Sequence, residues 1–159
     1  MPRQPYPLEA LRKLRSERAE AQARSLAAQI ARSADADARL RERERERREH
    51  EVRTAETVHE ERQRLGPSQV SGADLLRLVE FEDAARVQAG ALARAEASAR
   101  KLLAEERARE GELREELGRL EAQAALVRDH ETSFHDQHAA RQQRADEEAA
   151  LEQWSARRH

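Results

Sequence analysis

Several residue types that most folds depend on are rare or missing in this chain. It has no cysteine, which excludes disulfides, thiolate nucleophiles and cysteine-ligated zinc. It has one tryptophan, one tyrosine and two phenylalanines in 159 residues, and alanine replaces most bulky apolar side chains, so the thick core of a globular enzyme is excluded. No apolar run approaches the roughly 20 residues of a membrane span, and the N-terminus lacks the apolar segment of a signal peptide. We therefore expect a soluble intracellular protein that is not inserted in a membrane.

Charge is abundant but balanced. Charged residues make up 39% of the chain and the mean hydropathy is −1.04, a composition typical of a long helix or coiled coil. The net charge is only −2, so nothing attracts the chain as a whole to nucleic acid or to an anionic membrane. The most charged tract, residues 41–51, interleaves arginines with glutamates, which favours a solvated helix face over an RNA-binding element or the basic block of a DNA-binding zipper.

Helix-breaking residues divide the sequence into two halves. After three prolines within the first seven residues, the next proline is Pro67, which follows Gly66. Glycine suits the left-handed position after a helix, and proline prevents the helix from continuing. The pattern predicts helix one at about residues 8–65, a turn at 66–72 and helix two at about 73–156.

Apolar residues recur along helix two in alternating steps of three and four, as an interhelical contact requires. We call these twelve residues the seam, and Glu106 and Glu110 interrupt it. Its members are Leu78, Ala85, Ala89, Leu92, Ala99, Leu103, Leu113, Leu117, Leu120, Ala124, Val127 and Phe134.

The two halves also match each other when the chain is folded back at the turn. Residues facing each other in a hairpin turning near residue 70 should have numbers that sum to about 140. This rule pairs apolar residues with apolar residues: Leu65 with Leu75, Val58 with Phe81, Val52 with Val87, Leu26 with Leu113, and Leu14 with Leu126. We therefore predict an all-α fold, a long two-helix antiparallel coiled-coil hairpin forming a single domain over residues 1–159. A coiled coil that dimerises in parallel is the competing interpretation.

One segment superficially matches a catalytic zinc motif. His130 is followed by Glu131, but the next histidine, His135, is five residues on and not four, so the two imidazoles cannot face one ion on a helix. His135 and His138 would supply only two of the ligands that a metal site needs. Exposed polar residues on a helix are the favoured interpretation over a metal-dependent enzyme, and we assign no catalytic, cofactor-binding or metal-binding residue.

Two regions carry the features of partner-binding surfaces. The start of helix two holds more apolar side chains than one neighbouring helix can cover, so a partner or a self-folded hydrophobic tip is expected there. After Phe134, helix two outruns helix one in an acidic extension that bears Trp154, which is either an interface anchor or part of a frayed end. The apolar residues near the turn are Val70, Leu75, Leu76, Leu78, Val79 and Phe81.

The sequence resembles the YscO/FliJ family, the central-stalk proteins of type III secretion and flagellar export machines, and the YscO-type injectisome branch is closer. The resemblance is carried by the opening Tyr6–Glu20, the unbroken first helix, the turn before Leu75–Phe81, and the Glu-rich end Asp146–Trp154. It covers the length and hairpin layout of essentially the whole chain.

The resemblance implies a non-catalytic coiled coil that stands in a hexameric export ATPase and reaches the export gate, and that also binds secretion chaperones. Such a protein is bacterial and cytoplasmic, peripheral to the inner-membrane apparatus. By the resemblance, the ATPase would contact the extension with Trp154 and the N-terminal residues Leu11, Leu14, Arg15 and Arg18. The gate would contact the face formed by Leu78, Glu82 and Ala85, and the apolar Leu75 and Phe81 are further partner-binding candidates at the same end. A generic intracellular coiled-coil scaffold or dimerisation protein is the alternative.

Overall fold

The fold is a hairpin of two long helices. The computed structural model describes residues 5–66 and 70–157, and it contains α1 (Glu9–Leu65, 57 residues) and α2 (Gly72–Ala156, 85 residues). The helices pack against each other and no strand occurs in the described residues, which confirms the all-α hairpin. In those same residues, neither helix contains a segment long and apolar enough to span a membrane.

Local chemistry sets the helix ends near the turn. Gly66 has φ of +44°, the left-handed conformation that glycine adopts without steric cost, whereas Pro67 lies outside the described residues. Ser71 caps α2: its hydroxyl oxygen accepts a hydrogen bond from the Asp74 backbone N–H at 3.2 Å. The same hydroxyl donates to the Asp74 carboxylate at 2.6 Å, and this hydrogen bond lowers the pKa of Asp74.

The contacts of the hairpin fall into two compact units. One, the terminal unit, combines the chain up to Leu26 with the chain from Glu112 onwards. The other, the turn unit, spans Ala27–Gly111. Each contains part of α1 and part of α2.

Helix-to-helix contacts in each unit follow the predicted pairing rule. In the terminal unit, Gln22 donates to the Leu113 carbonyl oxygen at 3.3 Å, a pair whose residue numbers sum to 135. In the turn unit, Arg62 lies 2.9 Å from the Glu82 carboxylate, and these numbers sum to 144. The sums lie near the expected 140, so a turn near residue 70 is enough to set the antiparallel pairing.

The predicted seam of α2 is the face that packs against α1. All twelve seam residues are buried or half-buried, and Ala85, Leu103 and Ala124 are the most buried of them. Two predicted apolar pairs are nevertheless wrong, because both members of Val52 with Val87 and of Leu14 with Leu126 are exposed, and in a third pair, Leu65 with Leu75, Leu75 is exposed.

Helical phase explains the wrong pairs. Val87 and Leu126 each follow a buried seam alanine by two residues, which rotates them about 200° around the helix and away from α1. Val87 is 72% exposed and Val52 56%. The sum of two residue numbers gives the height of a residue along the hairpin but not the direction of its side chain.

Acidic residues occupy several positions on the face of α2 that packs against α1. Glu96, for example, follows Leu92 by four residues and precedes Ala99 by three. Each of four such glutamates meets a donor from α1: Glu82 with Arg62, Glu96 with Arg47, Glu106 with Gln29, and Glu131 with Arg12. The interruption that Glu106 makes in the apolar pattern is therefore a polar contact between the helices.

Candidate partner-binding surfaces

The first turns of α2 present a contiguous apolar surface, which we call the turn patch: Leu75, Leu76 and Val79. Their exposed fractions are 51%, 59% and 52%. The flanking Val70 is also exposed, and Phe81 is slightly less so. The prediction that α1 does not cover all the apolar side chains here is confirmed.

Helix geometry separates the turn patch from the face packed on α1. At 100° per residue, Val79 lies between Leu75 and Leu76, and the centre of the three is about 110° from Leu78. Leu78 is half-buried, and together with Phe81 it lines an open groove next to Thr57 of α1. The turn patch therefore stays accessible while Leu78 packs towards α1.

Two of the residues assigned to the gate serve the hairpin itself. Ala85 is buried, and Glu82 binds Arg62 of α1. Ala85 belongs to the seam and faces α1, so its assignment to a partner surface is corrected. Glu82 binds Arg62 but keeps a third of its side chain exposed, so its assignment stays a prediction.

In the terminal unit, the four α1 residues assigned to the ATPase form an exposed pair and a half-buried pair. Leu14 and Arg18 are exposed on α1. Leu11 and Arg15 are half-buried, and the Arg15 guanidinium donates a hydrogen bond to the Gln123 side chain of α2. Of these four α1 residues, Leu14 and Arg18 are thus exposed, whereas Arg15 contributes to the pairing of the helices.

Tyr6 anchors the N-terminal segment to α2, a role that the sequence analysis missed. Its ring is buried, and its hydroxyl lies 2.8 Å from Nδ1 of His130 and 3.3 Å from the Val127 carbonyl oxygen. The Phe134 ring packs edge-on against it, with centroids 5.7 Å apart. The pairing rule, with its sum of about 140, places residue 6 opposite residue 134, so applying it to the N-terminal segment would have found this contact.

The histidines of the zinc-like segment belong to this aromatic cluster. His130 and His135 lie beside the Tyr6 ring at centroid distances of 5.7 and 6.4 Å, and His138 lies 6.5 Å from Phe134. Within residues 5–66 and 70–157, no group of three or more potential ligand side chains is placed to hold a metal ion. The imidazoles instead pack against aromatic rings.

Tyr6 should titrate at unusually high pH. Removal of its hydroxyl from water raises the pKa of Tyr6, and the negative charge of Glu131 raises it further. A raised pKa in the folded state means that the stabilisation is complete below about pH 10 and is lost as the pH rises through the folded value. Because Tyr6 is the only tyrosine, the ultraviolet absorbance of tyrosinate reports it alone. We expect a midpoint above that of the urea-unfolded chain, and equal midpoints would contradict the burial.

Beyond this cluster, α2 continues as a segment that we call the extension, residues 139–157. Every residue of the extension is exposed, including Leu151 and Trp154. The predicted overrun of helix two is therefore present, and it is helical to Ala156.

Comparison of the chain with known protein families, with curated proteins and with solved structures gives no match.

Proposed function

We propose that this chain is a non-catalytic central stalk of a type III secretion export apparatus, linking the hexameric export ATPase to the export gate. The observation that supports the proposal best is the turn patch. Three contiguous apolar side chains, each more than half exposed, stand on a hairpin whose surface is otherwise rich in charge. An apolar patch surrounded by polar surface is a common mark of a protein-binding site.

The terminal unit suits contact with the ATPase ring. Its exposed α1 residues, Leu14 and Arg18, combine an apolar side chain with a cation, and the extension adds a further accessible surface. Many charged side chains on the hairpin form exposed ion pairs, which contribute only about 0–1 kcal/mol each. Weak and exchangeable contacts of this kind fit a stalk that must move within a ring. Secretion chaperones are further partners in this proposal.

A pair of surface variants tests the two contacts separately. We expect Leu75→Ser combined with Leu76→Ser to weaken binding to the cytoplasmic domain of the gate about 10–100-fold, because two half-exposed leucines together bury apolar surface worth about 1.5–3 kcal/mol. The same variant should still stimulate ATP hydrolysis by the cognate hexamer. Leu14→Ser combined with Arg18→Glu should instead lower the stimulation of ATP hydrolysis and leave gate binding unchanged. The measurements are gate affinity by calorimetry and steady-state ATPase rate.

The matched control is Val52→Ser combined with Val87→Ser, which removes two exposed apolar side chains outside the turn patch and should leave both readouts unchanged. Absence of ATPase stimulation and of gate binding by the unaltered chain would refute the stalk proposal and leave a coiled-coil scaffold. Equal losses in the control and in the turn-patch variant would show that the patch is not the contact.

A further inference from the structure

The extension carries four charged residues in a self-complementary order. Arg141 and Arg144 precede Glu148 and Glu152, and at 100° per residue all four lie within about 80° of one helix face. Leu151 borders this face. The face is basic at its first half and acidic at its second.

These four side chains are unpaired in the described part of the chain. No ion pair within 4.0 Å involves any of them, although Arg144 and Glu148 are separated by one helical turn. Elsewhere on the surface, arginines commonly bind acids three or four residues away, as Arg39 does with Asp35. The extension thus keeps its charges available for a partner of matching pattern.

We propose that the extension pairs in antiparallel fashion with the extension of a second copy of this chain. An antiparallel arrangement centred between Asp146 and Glu147 brings Arg141 opposite Glu152 and Arg144 close to Glu148. The two-fold symmetry repeats both pairs, so four ion pairs form. A parallel arrangement would instead place arginine against arginine and glutamate against glutamate.

One apolar side chain supports the same arrangement. Leu151 borders the charged face and is 65% exposed, so pairing of the two extensions would cover part of it. The inference concerns the chain alone and does not depend on the proposed function.

Charge reversal tests the pairing with the full-length protein. Sedimentation velocity over a concentration series should show a monomer–dimer equilibrium for the unaltered chain, weakening as salt is added. Arg141→Glu with Arg144→Glu should weaken self-association at least 10-fold, and so should Glu148→Arg with Glu152→Arg. An equimolar mixture of the two variants should dimerise again, since every opposed pair is then complementary. Circular dichroism establishes that each variant remains helical.

The control is Arg24→Glu with Arg32→Glu, which makes the same change in net charge as Arg141→Glu with Arg144→Glu, but on exposed positions of α1, and should leave self-association unaltered. The absence of cysteine allows one spin label to be placed at Ala139→Cys. An antiparallel pair separates the two labelled backbone positions by about 22 Å along the axis, and a parallel pair holds them about 10 Å apart. A chain that stays monomeric at all concentrations, a mixture that fails to dimerise, or the short distance would overturn the proposal.

Discussion

Leu103→Ala should lower the free energy of unfolding by about 2–3 kcal/mol, at the low end for a buried leucine, because a two-helix contact can partly close around the lost volume. Leu103 is a seam residue of α2 and is only 6% exposed. For a chain of this length, such a loss corresponds to a fall in Tm of roughly 5–10 °C. Urea unfolding followed by circular dichroism measures the change in free energy, and a thermal melt measures the change in Tm.

The neighbouring leucine supplies a matched control for this prediction. Leu102 has the same helix propensity and the same side chain, but it is 38% exposed because it is rotated 100° away from the seam. We expect Leu102→Ala to cost well under half as much as Leu103→Ala. If the two variants were equally unstable, the assignment of the buried face of α2 would be wrong.

Arg47→Met should destabilise the turn unit at neutral pH and should do so less in acid. Arg47 Nε lies 2.6 Å from the Glu96 carboxylate, and Glu96 is buried in the contact between the helices. The hydrogen bond from Arg47, followed by that from Arg100, lowers the pKa of Glu96. Methionine retains the apolar stem of the arginine but leaves Glu96 with Arg100 as its remaining cationic partner.

The sign of the pH dependence follows from that lowered pKa. A carboxyl whose pKa is lower in the folded state adds stability above its unfolded pKa, about 4.3, and the addition is lost as the pH falls through the folded value. We therefore expect the Tm of Arg47→Met to lie several degrees below that of the unaltered chain at pH 7. The two melting temperatures should converge as the pH is lowered through the folded pKa of Glu96.

Arg47 also binds Glu51 on the same helix, so this second contact needs its own control. Glu51→Gln removes only the exposed pair, whose two side chains are 36% and 53% exposed, and should change the Tm little at any pH. A gap between Arg47→Met and the unaltered chain that persists below the folded pKa of Glu96 would show that lost packing, and not the ion pair, causes the instability.

For the candidate surfaces, the sequence predicted location better than orientation. It identified the surplus of apolar residues near the turn, and Leu75, Leu76 and Val79 are indeed exposed. The family resemblance wrongly assigned Ala85 to a partner, although the periodicity of the same sequence placed it in the seam, where it is buried. Residues at a given height along a helix can point in any direction, and the neighbouring helix decides which of them are covered.

The sequence by itself determined the two helices, their limits within one residue, the antiparallel pairing and the apolar face of α2, because helix breakers and residue periodicity act through local geometry. Only the tertiary structure decided that Glu96 is buried beside Arg47 and that the Tyr6 ring is buried. A glutamate in a charged helix shows no local sign of burial. Its environment is set by a residue 49 positions away along the chain, which the fold brings to within a hydrogen bond.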